Sequence, residues 1–301
     1  MIEVNQVTKR FGPTTAIDHV SFEVHEQSIF GLIGTNGAGK STLLRVAAGI
    51  LKPEEGEVRI DGEAVFENAV IKEKFFYVSD NPYFFPNSTP CEMKKFYMSV
   101  YPDFDKKRFE DFMVRFHLGQ TRKIRTYSKG MKRQLAILLA ICSNTRYIFF
   151  DESFDGLDPV MRQAVKAILA GDMEARGVTP IIASHNLREL EDICDHVGLL
   201  YKGGVLLSKD LDEMKRNIHK IQCVLSDADE ALEFLKKQME ILKIDRRGSL
   251  ITFTARGDQR EIEELVKNCQ PVFYDMLPLS LEEIFISETE VAGYDIKKLI
   301  F

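Results

Sequence analysis

The chain carries two apolar rhythms. Short unbroken apolar runs recur in its first two thirds: FGLI at 30–33, YIFF at 147–150 and TPIIAS at 179–184. Runs of this length without polar alternation are the pattern of strands covered on both faces. Other segments repeat at helical spacing. Phe109, Phe112, Met113 and Phe116 share one helical face, and LAILLAI at 135–141 reads as an apolar helix. Strands alternating with helices predict an α/β domain over residues 1–218, a mixed sheet flanked by helices. Beyond it the pattern changes. KIQCVLS, the two runs on either side of Gly248 and QPVFYDM read as strands, while DADEALEFLKKQM and DQREIEELVKNC read as amphipathic helices. That βαββαβ order predicts a small α+β, ferredoxin-like domain over residues 219–301.

Composition narrows the class. Hydrophobic residues make up 45% and charged residues 29% of 301 positions, an ordinary soluble balance. The net charge of −6 argues against a dedicated nucleic-acid binder, which carries a basic excess. The five cysteines show no metal-binding spacing and read as reduced thiols. No apolar run approaches the roughly 18–20 residues of a spanning helix. The first twenty residues mix acids and bases with apolar positions, unlike a secretory leader. Work at a membrane is therefore expected to go through a partner.

The candidate chemistry begins after the first apolar run. FGLIGTNGAGKSTLLR is a strand, a glycine-rich loop and a helix, the P-loop pattern, and it predicts a P-loop NTPase core. Gly34, Thr35, Asn36, Gly37, Ala38 and Gly39 form the loop whose N–H groups surround phosphate. Lys40 reaches the outer phosphates, and Ser41 offers a hydroxyl to Mg²⁺. Thr42 either binds phosphate in the first helical turn or caps it. A second apolar run ends in Asp151 and Glu152, placed to hold the metal shell and to polarise an attacking water; such acids also cap helices. A third ends at Ser184 and His185, at the same carboxyl edge, where ligands of open α/β sheets sit. His185 is expected to touch the terminal phosphate. Finally, YSKGMKRQ at 127–134 sets Ser128 and basic residues at a helix start, which attracts anions.

In this order, across roughly residues 1–215, the motifs resemble the ATP-binding subunit of ABC transporters. GTNGAGKST is similar to its Walker A motif, YIFFDE to its Walker B, YSKGMKRQ to its signature loop, DGLD to its D-loop and His185 to its switch histidine. The resemblance implies ATP and Mg²⁺ as ligands and an adenine stacked on Phe11. It implies a helical subdomain over about residues 82–145, with a groove for a coupling helix of an integral membrane subunit. It also implies a second ATP-binding subunit, identical or related, because family members pack head to tail. Ser128 and Gly130 then hold the γ-phosphate of the ATP on another chain's P-loop. The chain is accordingly expected on the inner face of the cell membrane, and SLEEIFI near its end resembles exporters of drugs, peptides or antibiotics.

Several positions depart from the family pattern. Thr35, Lys129 and Ser153-Phe154 replace residues common there. The larger departure is Asp80, which stands where the family has a glutamine that reaches the metal and the attacking water. Asp80 either ligates the metal directly or only starts the turn before Pro82. Thirteen Phe or Tyr crowd residues 75–116, some in the core and some, such as Tyr83, Phe84 and Phe85, in a proline-flanked loop suited to docking. Two rival readings remain at this level: a soluble ABC-type ATPase with no transport role, and a nucleotide-sensing subunit with hydrolysis weakened by Asp80.

Overall fold

Tyr147–Asp151, Thr179–Ser184 and Phe30–Ile33 are strands with every side chain buried, as unbroken apolar runs require. They lie side by side in a computed structural model that describes residues 1–191 and 193–291; the rest of the expected C-terminal domain, 292–301, lies outside the described residues. The chain divides into two units, Met1–Ser208 and Lys209–Phe301. In chain order the strands are β1 (Ile2–Phe11), β2 (Thr14–Val24), β3 (Phe30–Ile33), β4 (Glu55–Ile60), β5 (Glu63–Ala64), β6 (Phe75–Val78), β7 (Tyr147–Asp151), β8 (Thr179–Ser184), β9 (His196–Tyr201), β10 (Gly204–Asp210), β11 (Ile218–Val224), β12 (Glu240–Arg247), β13 (Leu250–Arg256) and β14 (Phe273–Leu277).

The first unit holds two sheets. One has the order β2-β1-β4-β5 with antiparallel neighbours, and the other has the order β10-β9-β3-β8-β7-β6. From β9 to β6 every adjacent pair is parallel, with Phe30 and Phe149 both in register with Ile181. Parallel strands run the same way, so β3, β7 and β8 deliver their carboxyl ends to one edge. The helix Lys40–Ala47 follows β3 and buries Leu43, Leu44 and Val46 in one cluster with Val4, Ile17, Phe149 and Ile181. Each large side chain in that cluster contributes about 1.5–3 kcal/mol of burial.

The expected helical region is present. Thr89 and Glu92 form a reciprocal capping box at the start of the helix Pro90–Val100, and Asp105 caps Lys106–Arg115. The third helix, Lys129–Cys142, starts at Ser128, whose Oγ accepts from the Met131 N–H at 3.1 Å. From Leu135 to Cys142 it is buried on all sides, the state expected for a helix apolar all round. Phe109, Phe112 and Met113 are buried, whereas Phe116 lies just past its helix and meets Phe112 at a tilt, ring centres 5.8 Å apart. Among the remaining aromatics, Tyr83 is 72% exposed and Phe85 45%, and Phe85 meets the exposed Phe96 edge-on at 4.9 Å.

The second unit has the sheet order β12-β13-β11-β14, with all neighbours antiparallel. Each βαβ segment is thus split by a strand inserted from the other. Ile221 faces Phe253 across β11 and β13, and both are buried with Leu235, Ile262 and Val266 from the two helices. The short helix Leu211–Asn217 packs on β11 and so belongs to this unit, although sequence pattern alone groups it with the residues before it.

Candidate functional site

The edge that collects the carboxyl ends of β3, β7 and β8 bears a cavity of about 430 Å³. Asn36, Gly37, Gly39, Lys40, Ser41 and Thr42 line it from the loop after β3, with Asp80, Glu152 and His185 opposite. Two glycines let the loop pass between neighbouring backbones. A β-carbon on Gly39, which has φ of +104°, would meet the Ala16 carbonyl oxygen at 2.4 Å, and one on Gly34 would meet the Leu200 oxygen at 2.5 Å. The Gly203 N–H also donates to the Ala38 carbonyl at 3.2 Å. The loop is therefore wedged between β2 and the β9 end.

Lys40 is buried, and its Nζ donates to the carbonyls of Gly34 at 2.8 Å and Thr35 at 3.2 Å. It also lies 3.1 Å from Glu152 Oε1. Glu152 turns towards the cavity through a φ of +49°, a left-handed conformation that costs a residue with a β-carbon about 1–2 kcal/mol. Its N–H stays bonded to the Ala183 carbonyl at 3.0 Å. His185 Nδ1 lies 2.6 Å from Glu152 Oε2. Burial alone raises the Glu152 carboxyl, but the His185 hydrogen bond and the Lys40 charge outweigh it and hold the group below the usual carboxylate range. Asp155, near the same histidine at 3.7 Å, is pushed the other way by burial and by the Glu152 charge.

Asp151 is fully buried and accepts from Ser41 Oγ at 2.7 Å and from the Tyr77 hydroxyl at 2.8 Å. Burial and the Asp151 charge raise the Tyr77 phenol, so it remains a donor. Arg45 Nη2 stands 3.8 Å from Asp151 and 3.7 Å from Asp80. A serine hydroxyl touching a carboxylate beside a phosphate cradle is a hard-oxygen donor set, which fits Mg²⁺. The half-exposed Asp80 lies beside Arg45 and lines the same cavity as Ser41.

Most sequence-predicted residues thus converge on one cavity. Phe11, Ser128 and Gly130 do not line it, nor do Gly34, Thr35, Ala38 and the buried Asp151, although these last four belong to the loop and strand that bear it. Phe11 is half exposed at the end of β1 with the Lys9 ammonium 5.4 Å from its ring centre. Tyr77 joins the site without any motif to announce it, and Arg45 and Arg133, though they lie within the P-loop segment and YSKGMKRQ, join it in roles those motifs do not announce; each reaches it through a long side chain from a separate element. Asp155 lies in the DGLD segment, but its carboxylate carries no sequence signal of its own. Charge, depth and an open mouth suit a phosphorylated ligand with an acid poised beside it.

A family described as ABC transporter matches residues 17–155. The chain is 31% identical over 291 residues to an uncharacterized ABC transporter ATP-binding protein of Nostoc sp., covering 93% of this chain and 85% of that one. It is 29% identical over 288 residues to the ABC transporter ATP-binding protein YtrB of Bacillus subtilis, covering 96% and 98%. It is 29% identical over 294 residues to the bacitracin transport ATP-binding protein BcrA of Bacillus licheniformis, covering 95% and 96%. A solved ATP-binding subunit of an ABC transporter superposes with a TM-score of 0.66 at 25% identity, over 72% of this chain and 92% of that one. With this P-loop, paired acids and histidine at one sheet edge, the chain belongs to the ATP-binding proteins of ABC transporters and is an ATPase.

Proposed function

We propose that this ATPase drives an integral membrane subunit from the inner face of the membrane, in the export direction, and hydrolyses ATP at sites shared with a second ATP-binding subunit. The observation that carries the reading is the Glu152 carboxyl, held between Lys40 and His185 at the mouth of the phosphate cradle. Once phosphate takes over Lys40, Glu152 accepts the proton of an attacking water as the water approaches the terminal phosphate. The loop N–H groups and Lys40 bind and orient the phosphates, and His185 fixes the Glu152 carboxylate and faces the terminal phosphate. Ser41 and Asp151, with Asp80 as a further candidate, would hold Mg²⁺, which supplies charge neutralisation to the phosphates. Phe11 is assigned to the adenine.

Ser128 and Gly130 do not line this cavity, which supports their service to the ATP of another chain. The exposed Tyr83, Phe85 and Phe96 give a membrane partner an aromatic surface to grip. No helix among the described residues is long and apolar enough to cross a membrane. Export is favoured by the likeness to a bacitracin transport protein and by the SLEEIFI segment.

Mixed dimers test the shared site. Lys40→Ala and Ser128→Arg each damage both sites of a homodimer, but mixing the two variants leaves one site intact and restores ATPase activity. Placing both substitutions in one chain, with a native partner, puts one lesion in each site and keeps activity low. Half of the native activity in that last dimer would place each site within a single chain and overturn the reading.

A further inference from the structure

Arg133 sits one turn into the helix Lys129–Cys142, and its guanidinium lines the phosphate cavity. Its two terminal nitrogens go to two different loops. Nη1 donates to the Asp155 carbonyl, and Nη2 donates to the Asp80 carbonyl at 3.2 Å. The side chains of those residues point elsewhere, Asp80 towards Arg45 and Asp155 towards His185. Arg133 therefore fixes backbone positions and leaves both carboxylates to their own partners.

The fold makes room for this arrangement. Gly156 has φ of +75°, and a β-carbon there would stand 2.9 Å from Arg133 Nη1. A β-carbon on Gly130 would lie 3.2 Å from the Gly156 carbonyl oxygen. The start of the helix thus packs directly against the turn that follows Glu152, and glycine on both sides permits the approach. Only a planar fork with several N–H groups in fixed directions serves two carbonyls at once.

We infer that Arg133 is a positioning residue that ties the Asp80 turn and the Asp155 turn to one helix, so that displacement of the exposed aromatic face is carried to Glu152. Tyr83 and Phe85 follow Asp80 in the same loop, and Asp155 follows Glu152 by three residues. A pull on the first loop moves the Asp80 carbonyl. Through the guanidinium it moves the Asp155 carbonyl and the carboxylates around His185. The inference rests on the proposed docking role of the aromatic face and on Glu152 as base. Such coupling travels through packed side chains, hydrogen bonds and secondary elements that move between discrete arrangements.

The test uses the full chain with Arg133→Ala and Arg133→Lys. Hydrogen exchange in the nucleotide-free protein reads the tether without any activity. Arg133→Ala is expected to speed exchange in residues 79–85 and 153–157 together, roughly tenfold or more, while the buried strand 147–151 stays protected. In ATPase assays, kcat falls roughly tenfold to a hundredfold while the affinity for a fluorescent ATP analogue stays within about twofold. Arg133→Lys, with one charge but no fork, does not rescue kcat. Acceleration of one loop only, an unchanged kcat or full rescue by lysine overturns the inference. If Arg133→Ala does not fold, Arg133→Lys alone decides, on the same exchange and kcat criteria. A native protein without ATPase activity would instead sink the functional reading, and the exchange result would still decide the tether.

Discussion

Lys40 and Glu152 stand 3.1 Å apart, ammonium against carboxylate, with side chains 4% and 16% exposed. The residue that should grip phosphate grips the residue that should activate water. Two loop carbonyls complete the lysine's hydrogen bonds. A triphosphate must therefore exchange for these partners, and in doing so it releases Glu152 to its water.

Lys40→Ala removes the charged donor from the cradle. A charge-assisted hydrogen bond of about 1.5–3 kcal/mol corresponds to roughly a 10- to 100-fold loss of ATP affinity. Calorimetric titration checks it, and unchanged affinity would take Lys40 out of the binding site.

Glu152→Gln keeps the shape and removes the base. ATP still binds, turnover falls by about 10²–10⁴-fold, and an ATP-bound dimer accumulates. Light scattering at saturating ATP measures the dimer; a monomer there contradicts the shared site.

The pH dependence follows from the opposed shifts of two acids. The Glu152 carboxyl is lower in the folded chain, so its stabilisation is present above the ordinary carboxylate value and fades as pH falls through the folded one. Asp155 is raised, so its favourable contribution is present below its unfolded value and is lost as pH rises through the folded one. His185→Ala removes a hydrogen bond that lowers Glu152. The acid limb of the pH–kcat profile should move to higher pH, and an unmoved limb would assign it to another group.

Asp80→Asn separates the two readings of that position. A carboxylate that ligates Mg²⁺ becomes a neutral amide, and the Mg²⁺ concentration for half-maximal ATPase activity rises. An unchanged requirement leaves Asp80 as a counter-ion of Arg45 and a turn former.

Phe149→Ala tests the core beneath the site. The Phe149 ring meets Phe75 at 5.3 Å and is buried between β6 and β8. The substitution should cost about 3–5 kcal/mol, or roughly 10 °C in the melting temperature of a unit this size. A melting temperature within a degree or two of native would show that the cavity collapses.

Much of this site is legible in the sequence because its parts have local causes. Glycine spacing marks the P-loop, and unbroken apolar runs mark the strands whose ends carry Asp151, Glu152 and His185. The unread part is long-range. Arg133 and Asp80 are 53 positions apart and meet through a side chain and a carbonyl, a contact with no period to detect. Tyr77 lies in an apolar strand, where a hydroxyl aimed at Asp151 looks like any core aromatic. The helix Leu211–Asn217 is similar, since only its packing on β11 assigns it to a unit.

The loop held between the Ala16 and Leu200 carbonyls has a thermodynamic consequence. A phosphate loop that must order on binding loses part of its interaction energy to conformational entropy. This one is already braced by backbone on both sides, so little chain freedom remains to be lost when nucleotide arrives. Binding to the isolated chain should then show only the modest heat-capacity change of a preformed pocket, and a large negative value is left for the later step in which two chains bury surface against each other.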